Sequence, residues 1–159
     1  MPESRPDALS GTPPDPVATA RLLFDRGFNC AESVLLALAG DDHGEPPPWQ
    51  RAAATFGGGI ARQGLLCGCL TGCAMAVGLR IGRLRPDDQE SRDRSYRVTA
   101  AVFRRFRQRF GALDCRLLSG MDFNQPISPE ALRRLHAETC GPMVEETVRL
   151  ALEELAKES

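Results

Sequence analysis

Six cysteines in a chain of 159 residues set the chemical question. Three of them, Cys67, Cys69 and Cys73, stand in the stretch FGGGIARQGLLCGCLTGCAMAVGLRIG, Phe56 to Gly82, just past a triple glycine. Cys30 lies upstream, and Cys115 and Cys140 downstream. In a reducing compartment a set of thiols points to redox chemistry or metal binding before structural disulfides. The chemistry at stake is attack by a thiolate on a disulfide or oxidant, or coordination of a metal that favours sulfur.

Position along the predicted helices separates the six. Cys30 follows Asn29, a helix cap, so it occupies a first helical position where free N–H groups and the helix dipole favour a thiolate. Cys115 follows Asp114 in the same way, with the Asp114 charge opposing the shift. Cys140 precedes Gly141-Pro142, a predicted helix break, near the start of the resumed helix. The three are thus expected at electropositive helix ends, against the alternative that each is a small buried hydrophobe.

Cys67 and Cys69 form a C-x-C pair whose side chains point to opposite sides if both are helical, so a bond between them needs the helix to fray. Cys69 and Cys73 are one turn apart on a shared face, about 5–6 Å between Cβ atoms. That is too wide for a relaxed disulfide and suits two ligands of one metal. His136 and Cys140 repeat the spacing near the C-terminus. Zinc or an iron–sulfur cluster held by Cys69, Cys73 and His136 with Cys67 and Cys140 is therefore a competing expectation, although the spacings match no common zinc or ferredoxin pattern.

The elements that position these residues read as helices throughout. Residues 1–14 are predicted to be a disordered tail, and 15–159 one helical domain. Asp15 with Pro16 opens a first helix, closed at Gly27, with Val17, Ala20, Leu23 and Phe24 on one face. Asn29 and Glu32 form a capping-box pattern for a second helix, whose stripe is Val34, Leu35 and Leu38. After the loop DDHGEPPP, Trp49 to Phe56 is a short helix and Gly57-Gly58-Gly59 a turn. Leu66 to Ile81, apolar nearly all round and rich in glycine, is expected to be the central buried helix. Asp87 to Phe110 is a long charged helix with a seam of Tyr96, Thr99, Phe103, Phe106 and Phe110, able to support a homodimer. Asp114 caps a short helix to Leu118, and Ser128-Pro129 opens a C-terminal helix broken at Gly141-Pro142. No strand shows sustained alternation. The fold class is all-α, a compact multi-helix bundle without a sheet.

Composition excludes several functions. A formal net charge of −1 gives no electrostatic reason to expect nucleic acid. The run Arg104, Arg105, Arg107 and Arg109 reads as a solvated helix face. No apolar stretch reaches the roughly 18–20 residues of a membrane span. The start, MPESRPDALSGTPPDP, lacks the apolar core of a signal peptide, so a cytoplasmic location is expected. The triple glycine with Arg62 and Gly64 lacks the Gly-Lys-Ser/Thr ending of a nucleotide loop. His43 falls in a polar loop and is expected to be incidental. No hydrolase or zinc-protease motif is present.

Three segments together resemble a known family. They are F-N-C-A-E-S-V-L at Phe28 to Leu35, F-G-G-G at Phe56 to Gly59, and C-G-x-x-T-G at Cys67 to Gly72, with Cys115 and Cys140 following. The chain is similar to the C-GCAxxG-C-C family of redox-active proteins. The resemblance implies thiol redox chemistry at four characteristic cysteines, Cys30, Cys67, Cys115 and Cys140. At Cys69 and Cys73, small residues such as alanine are more typical of the family. Those two thiols are then replacements for small residues or an added metal or redox function. The expected mechanism has Cys67 or Cys30 attack a redox partner or small oxidant and a neighbouring cysteine resolve the intermediate. A structural helical module with inert buried cysteines is the third reading.

Overall fold

A computed structural model describes residues 15–40 and 47–158. The predicted tail at 1–14, most of the loop after the second helix, and His43 with it lie outside the described residues. Seven α-helices follow in order: α1 Pro16–Asp25, α2 Cys30–Ala39, α3 Gly68–Ile81, α4 Gln89–Phe110, α5 Cys115–Ser119, α6 Pro129–Leu135 and α7 Gly141–Ala156. A 3-10 helix, Pro48–Phe56, precedes α3, and a π turn, His136–Cys140, joins α6 to α7. Among the described residues there is no strand, only an isolated antiparallel bridge between Leu66 and Asp114. The all-α expectation holds.

The helix starts form as the capping residues dictate. The Asp15 carboxylate accepts from the N–H of Val17 at 3.1 Å. Asn29 and Glu32 complete a reciprocal box: Asn29 Oδ1 accepts from the Glu32 N–H at 3.0 Å, and Glu32 Oε2 from the Asn29 N–H at 2.9 Å. Ser128 Oγ accepts from the Ala131 N–H at 3.1 Å. Asp88 does the same for Ser91, so α4 begins two residues later than the predicted Asp87.

The core is one cluster drawn from α1, α2, α3, α4, α7 and the 3-10 helix. Helix α3 lies at its centre, packed on α2, α4, α7 and the 3-10 helix. The α2–α3 approach is backbone to backbone. A Cβ built on Gly72 would fall 2.4 Å from the carbonyl oxygen of Ala31, so no other residue fits there without moving α2. The small residues of α3 lose helix propensity and gain this contact.

Two expectations need correction. The α4 seam is shifted at its start: Phe106 of the predicted seam is fully buried and Phe103 and Phe110 pack partly buried on the core, but Tyr96 is 68% exposed, and Ser95, Val98 and Val102 are buried in its place. Both stripes have three-and-four spacing, but the valine stripe faces the core between α3 and α7. Ser95 is accommodated because its hydroxyl donates to the Arg92 carbonyl at 2.8 Å. Nor does the chain break at Gly141-Pro142. Pro142 has no N–H to donate, and the turn before it widens so that the Gly141 N–H reaches the His136 carbonyl.

Between the 3-10 helix and α3 the backbone runs left-handed. Gly58 and Gly59 have φ of 63° and 68°, and Ile60, Ala61 and Arg62 continue at 62°, 48° and 64°. Each non-glycine residue there costs about 1–2 kcal/mol. The turn is held by Ala61 N–H to Thr55 O at 2.7 Å, Arg62 N–H to Gly57 O at 3.1 Å and Leu65 N–H to Gly59 O at 3.0 Å. It delivers residues 64–67 alongside residues 113–116. There Cys67 N–H bonds Leu113 O at 2.9 Å, Cys115 N–H bonds Leu65 O at 2.6 Å, and Arg116 N–H bonds Gly64 O at 3.1 Å.

Candidate functional site

Cys30 begins α2, and its sulfur lies against the start of α3. A Cβ on Gly68 would stand 2.4 Å from Cys30 Sγ, so the bare glycine admits the sulfur between two helix N-termini. Cys67 is the cap residue of α3, extended at φ −57° and ψ 134° and not helical. The predicted divergence of Cys67 and Cys69 is therefore absent. The helix starts one residue after Cys67, and both thiols turn to Cys30.

The electrostatics follow from this arrangement. The thiols of Cys67 and Cys69 donate hydrogen bonds to the Cys30 sulfur and hold its pKa well below the ordinary 9.0. The Ala31 and Cys30 N–H groups add to this, and burial opposes it. Cys67 and Cys69 move the other way. Cys67 is raised first by its bond to Cys30, with burial adding and the Cys69 contact opposing. Cys69 is raised by its bonds to Cys30 and to Cys67 and by burial. One sulfur of the three takes the charge, and the other two keep their protons.

The remaining predicted residues ring this trio. Burial, then the Cys30 charge, pushes the Cys115 thiol up to about 11, with a bond to Ser119 acting the other way. Burial, then the charges of Cys30 and Cys115, pushes Cys140 up to about 12. The predicted thiolates at Cys115 and Cys140 are thus corrected. The Cys115 N–H is spent on Leu65 O, no Asp114 side-chain cap forms, and Cys140 lies inside a continuous helical run. His136 stacks its ring on Phe24, centroids 5.0 Å apart. Burial lowers its pKa from 6.5 while the Cys30 charge pulls upward.

Cys73 stands apart: it is fully buried, and burial alone pushes its thiol up to about 12. Among the described residues no group of three or more His, Cys, Asp or Glu side chains stands so as to hold a metal ion. The proposed zinc or iron–sulfur set of Cys69, Cys73 and His136 therefore finds no donor cluster here, and no step is assigned to such a group.

Cys73 gives a stability expectation with a definite sign. Its folded pKa lies above the unfolded 9.0, so its contribution is complete below pH 9 and is lost as pH rises toward about 12. Over that window one buried thiol costs about 1.4 kcal/mol of stability per pH unit. Urea unfolding at pH 8 and pH 10 checks this: Cys73→Ala removes one proton's worth of the alkaline loss, and an unchanged slope contradicts it.

Sequence reasoning placed Cys69 in a metal set with Cys73 and His136 and not among the four redox cysteines. The signal available was the C-x-C spacing directly after a glycine-rich turn, since a helix beginning between the two cysteines lets both face one side. No helix among the described residues is long and apolar enough to cross a membrane. Of the arginine run, Arg105 is engaged by Glu153 and Glu154 at 2.5 and 2.7 Å, while Arg104, Arg107 and Arg109 are exposed.

No curated protein and no solved structure matches the chain. A family model described as "Putative redox-active protein (C_GCAxxG_C_C)" matches residues 28–154, a span that begins at the α2 cap and includes all six cysteines. The chain belongs to the C_GCAxxG_C_C family.

Proposed function

We propose that this chain is a thiol–disulfide redox protein of a reducing compartment such as the cytoplasm, with Cys30 attacking and Cys67 resolving. The observation that supports it is the Cys30 sulfur, in a half-buried residue at the start of α2, with two S–H and two N–H groups pointing at it. The Cys30 thiolate attacks one sulfur of a substrate disulfide and forms a mixed disulfide, and the other substrate sulfur leaves as a thiolate. Cys67 then attacks the Cys30 sulfur, its proton going to the second departing substrate sulfur. The products are a Cys30–Cys67 disulfide and two substrate thiols; the substrate gains two electrons and the protein loses them. A peroxide enters by the same atom, giving a Cys30 sulfenic acid that Cys67 closes with release of water. Cys115 and Cys140, within reach of the same charge, are further reductants at the site.

The test is a thiol count on reduced full-length protein before and after stoichiometric hydroxyethyl disulfide, with mass-spectrometric mapping of new bonds. The expected result is loss of paired thiols among Cys30, Cys67, Cys69, Cys115 and Cys140. Retention of all six thiols overturns the reading.

A further inference from the structure

The site holds one sulfur more than an attacking and resolving pair requires. Cys69 is fully buried and Cys67 nearly so, at 0% and 4% exposure, whereas Cys30 is half-buried, the least enclosed residue of the three. A substrate therefore meets Cys30 and has no route to the inner two. Those two meet each other, because Cys67 sits outside the helix in an extended conformation and Cys69 one residue inside it. Their thiols share a hydrogen bond and both bond to Cys30, around a glycine that leaves no side chain between them.

We propose that the disulfide formed at Cys30 migrates inward to Cys67 and Cys69, which returns Cys30 to service while the oxidising equivalent stays in the core. This inference rests on the function proposed above. In the step, Cys69 attacks the Cys67 sulfur of the Cys30–Cys67 bond. The Cys67–Cys69 bond forms, the Cys30–Cys67 bond breaks, and the electron pair leaves on Cys30. The Cys69 proton passes along its hydrogen bond toward the departing sulfur and from there to water at the open side. No electrons are gained or lost overall.

Direction follows from the leaving group. In thiol–disulfide exchange the sulfur whose thiolate is best stabilised departs most readily. That sulfur is Cys30, which keeps the Ala31 and Cys30 N–H groups of the α2 start and its seat against the start of α3, while the two S–H groups are used up in the new bond. The freed thiolate can then take a second substrate, with Cys115 or Cys140 as the resolving thiol, so the chain can store two disulfides in sequence.

The experiment treats reduced full-length protein with one equivalent of diamide, blocks free thiols with iodoacetamide and maps tryptic peptides. Cys67 and Cys69 share the peptide from Gln63 to Arg80, and Cys30 lies on the one from Gly27 to Arg51. The wild type is expected to carry an internal disulfide in the first peptide, with Cys30 still free and alkylated. Cys73→Ala, carrying the same internal bond, assigns it to Cys67 and Cys69. In Cys69→Ala the two peptides become cross-linked and Cys30 is lost to alkylation. A Cys30–Cys67 cross-link in wild type and Cys69→Ala alike overturns the migration and leaves the proposed function standing. No new bond in either overturns both.

Discussion

Cys30→Ser is expected to slow alkylation of the native protein by iodoacetamide at pH 7 by about 100-fold, a larger effect than any other single cysteine replacement. The magnitude follows from thiolate populations. With Cys115 up to about 11, about one molecule in 10⁴ has that thiolate at pH 7. Its greater basicity recovers about 10²-fold in intrinsic nucleophilicity relative to a thiol matched to the ambient pH, which leaves a deficit of about 10² against such a thiol. The pH profile gives a second readout. Wild-type reactivity should reach its plateau at a pH well below 9.0, because the Cys30 pKa lies well below 9.0. The variant should instead climb about tenfold per pH unit toward pH 11, as expected of a thiol that must first lose its proton. A wild-type profile that climbs in the same way would remove Cys30 from the attacking role.

The second large effect is structural and comes from two glycines on one helix. Gly72→Ala places a methyl group 2.4 Å from Ala31 O and 3.0 Å from Ala31 C and Cα, all backbone atoms that cannot rotate away. Overpacking of this kind costs about 1–3 kcal/mol. For a chain of this size that lowers Tm by roughly 3–10 °C. Gly78→Ala meets nothing within 4 Å. It gains helix propensity of up to about 1 kcal/mol and should raise Tm by roughly 2–4 °C. Scanning calorimetry of the two variants checks the opposite signs. Equal shifts would show that α2 and α3 are not in backbone contact.

Much of this architecture was legible because it is written in short-range signals. Asp15-Pro16, the Asn29–Glu32 box and Ser128-Pro129 each fix a helix start through hydrogen bonds spanning two or three residues, and all three form. The α3 core was legible from its apolar composition. What the sequence concealed depends on partners distant along the chain. The Tyr96 seam failed because two stripes of α4 satisfy the same spacing, and only the positions of α3 and α7 choose between them. The Cys115 expectation failed because a helix start donates its N–H outward only when nothing else claims it, and Leu65 O does. The choice of Cys30 over Cys67 as the attacking sulfur was open for a related reason. Which thiol the other two point at depends on the bare Gly68 and the extended backbone at Cys67, residues whose effect only the assembled helices reveal.

The left-handed turn bears on how far this chemistry can be transplanted. A peptide cut from Phe56 to Gly82 would keep the C-x-C spacing yet lose what ionises a sulfur. It would lack the α2 start that carries Cys30 and the segment at residues 113–116 that pins Cys67 in place. The backward-wound residues Ile60 to Arg62 are tolerable only while that pinning offsets their cost. Reactivity here is a property of the assembled chain and not of a portable motif, so grafting the cysteine pattern onto another scaffold would carry over its spelling without its acidity.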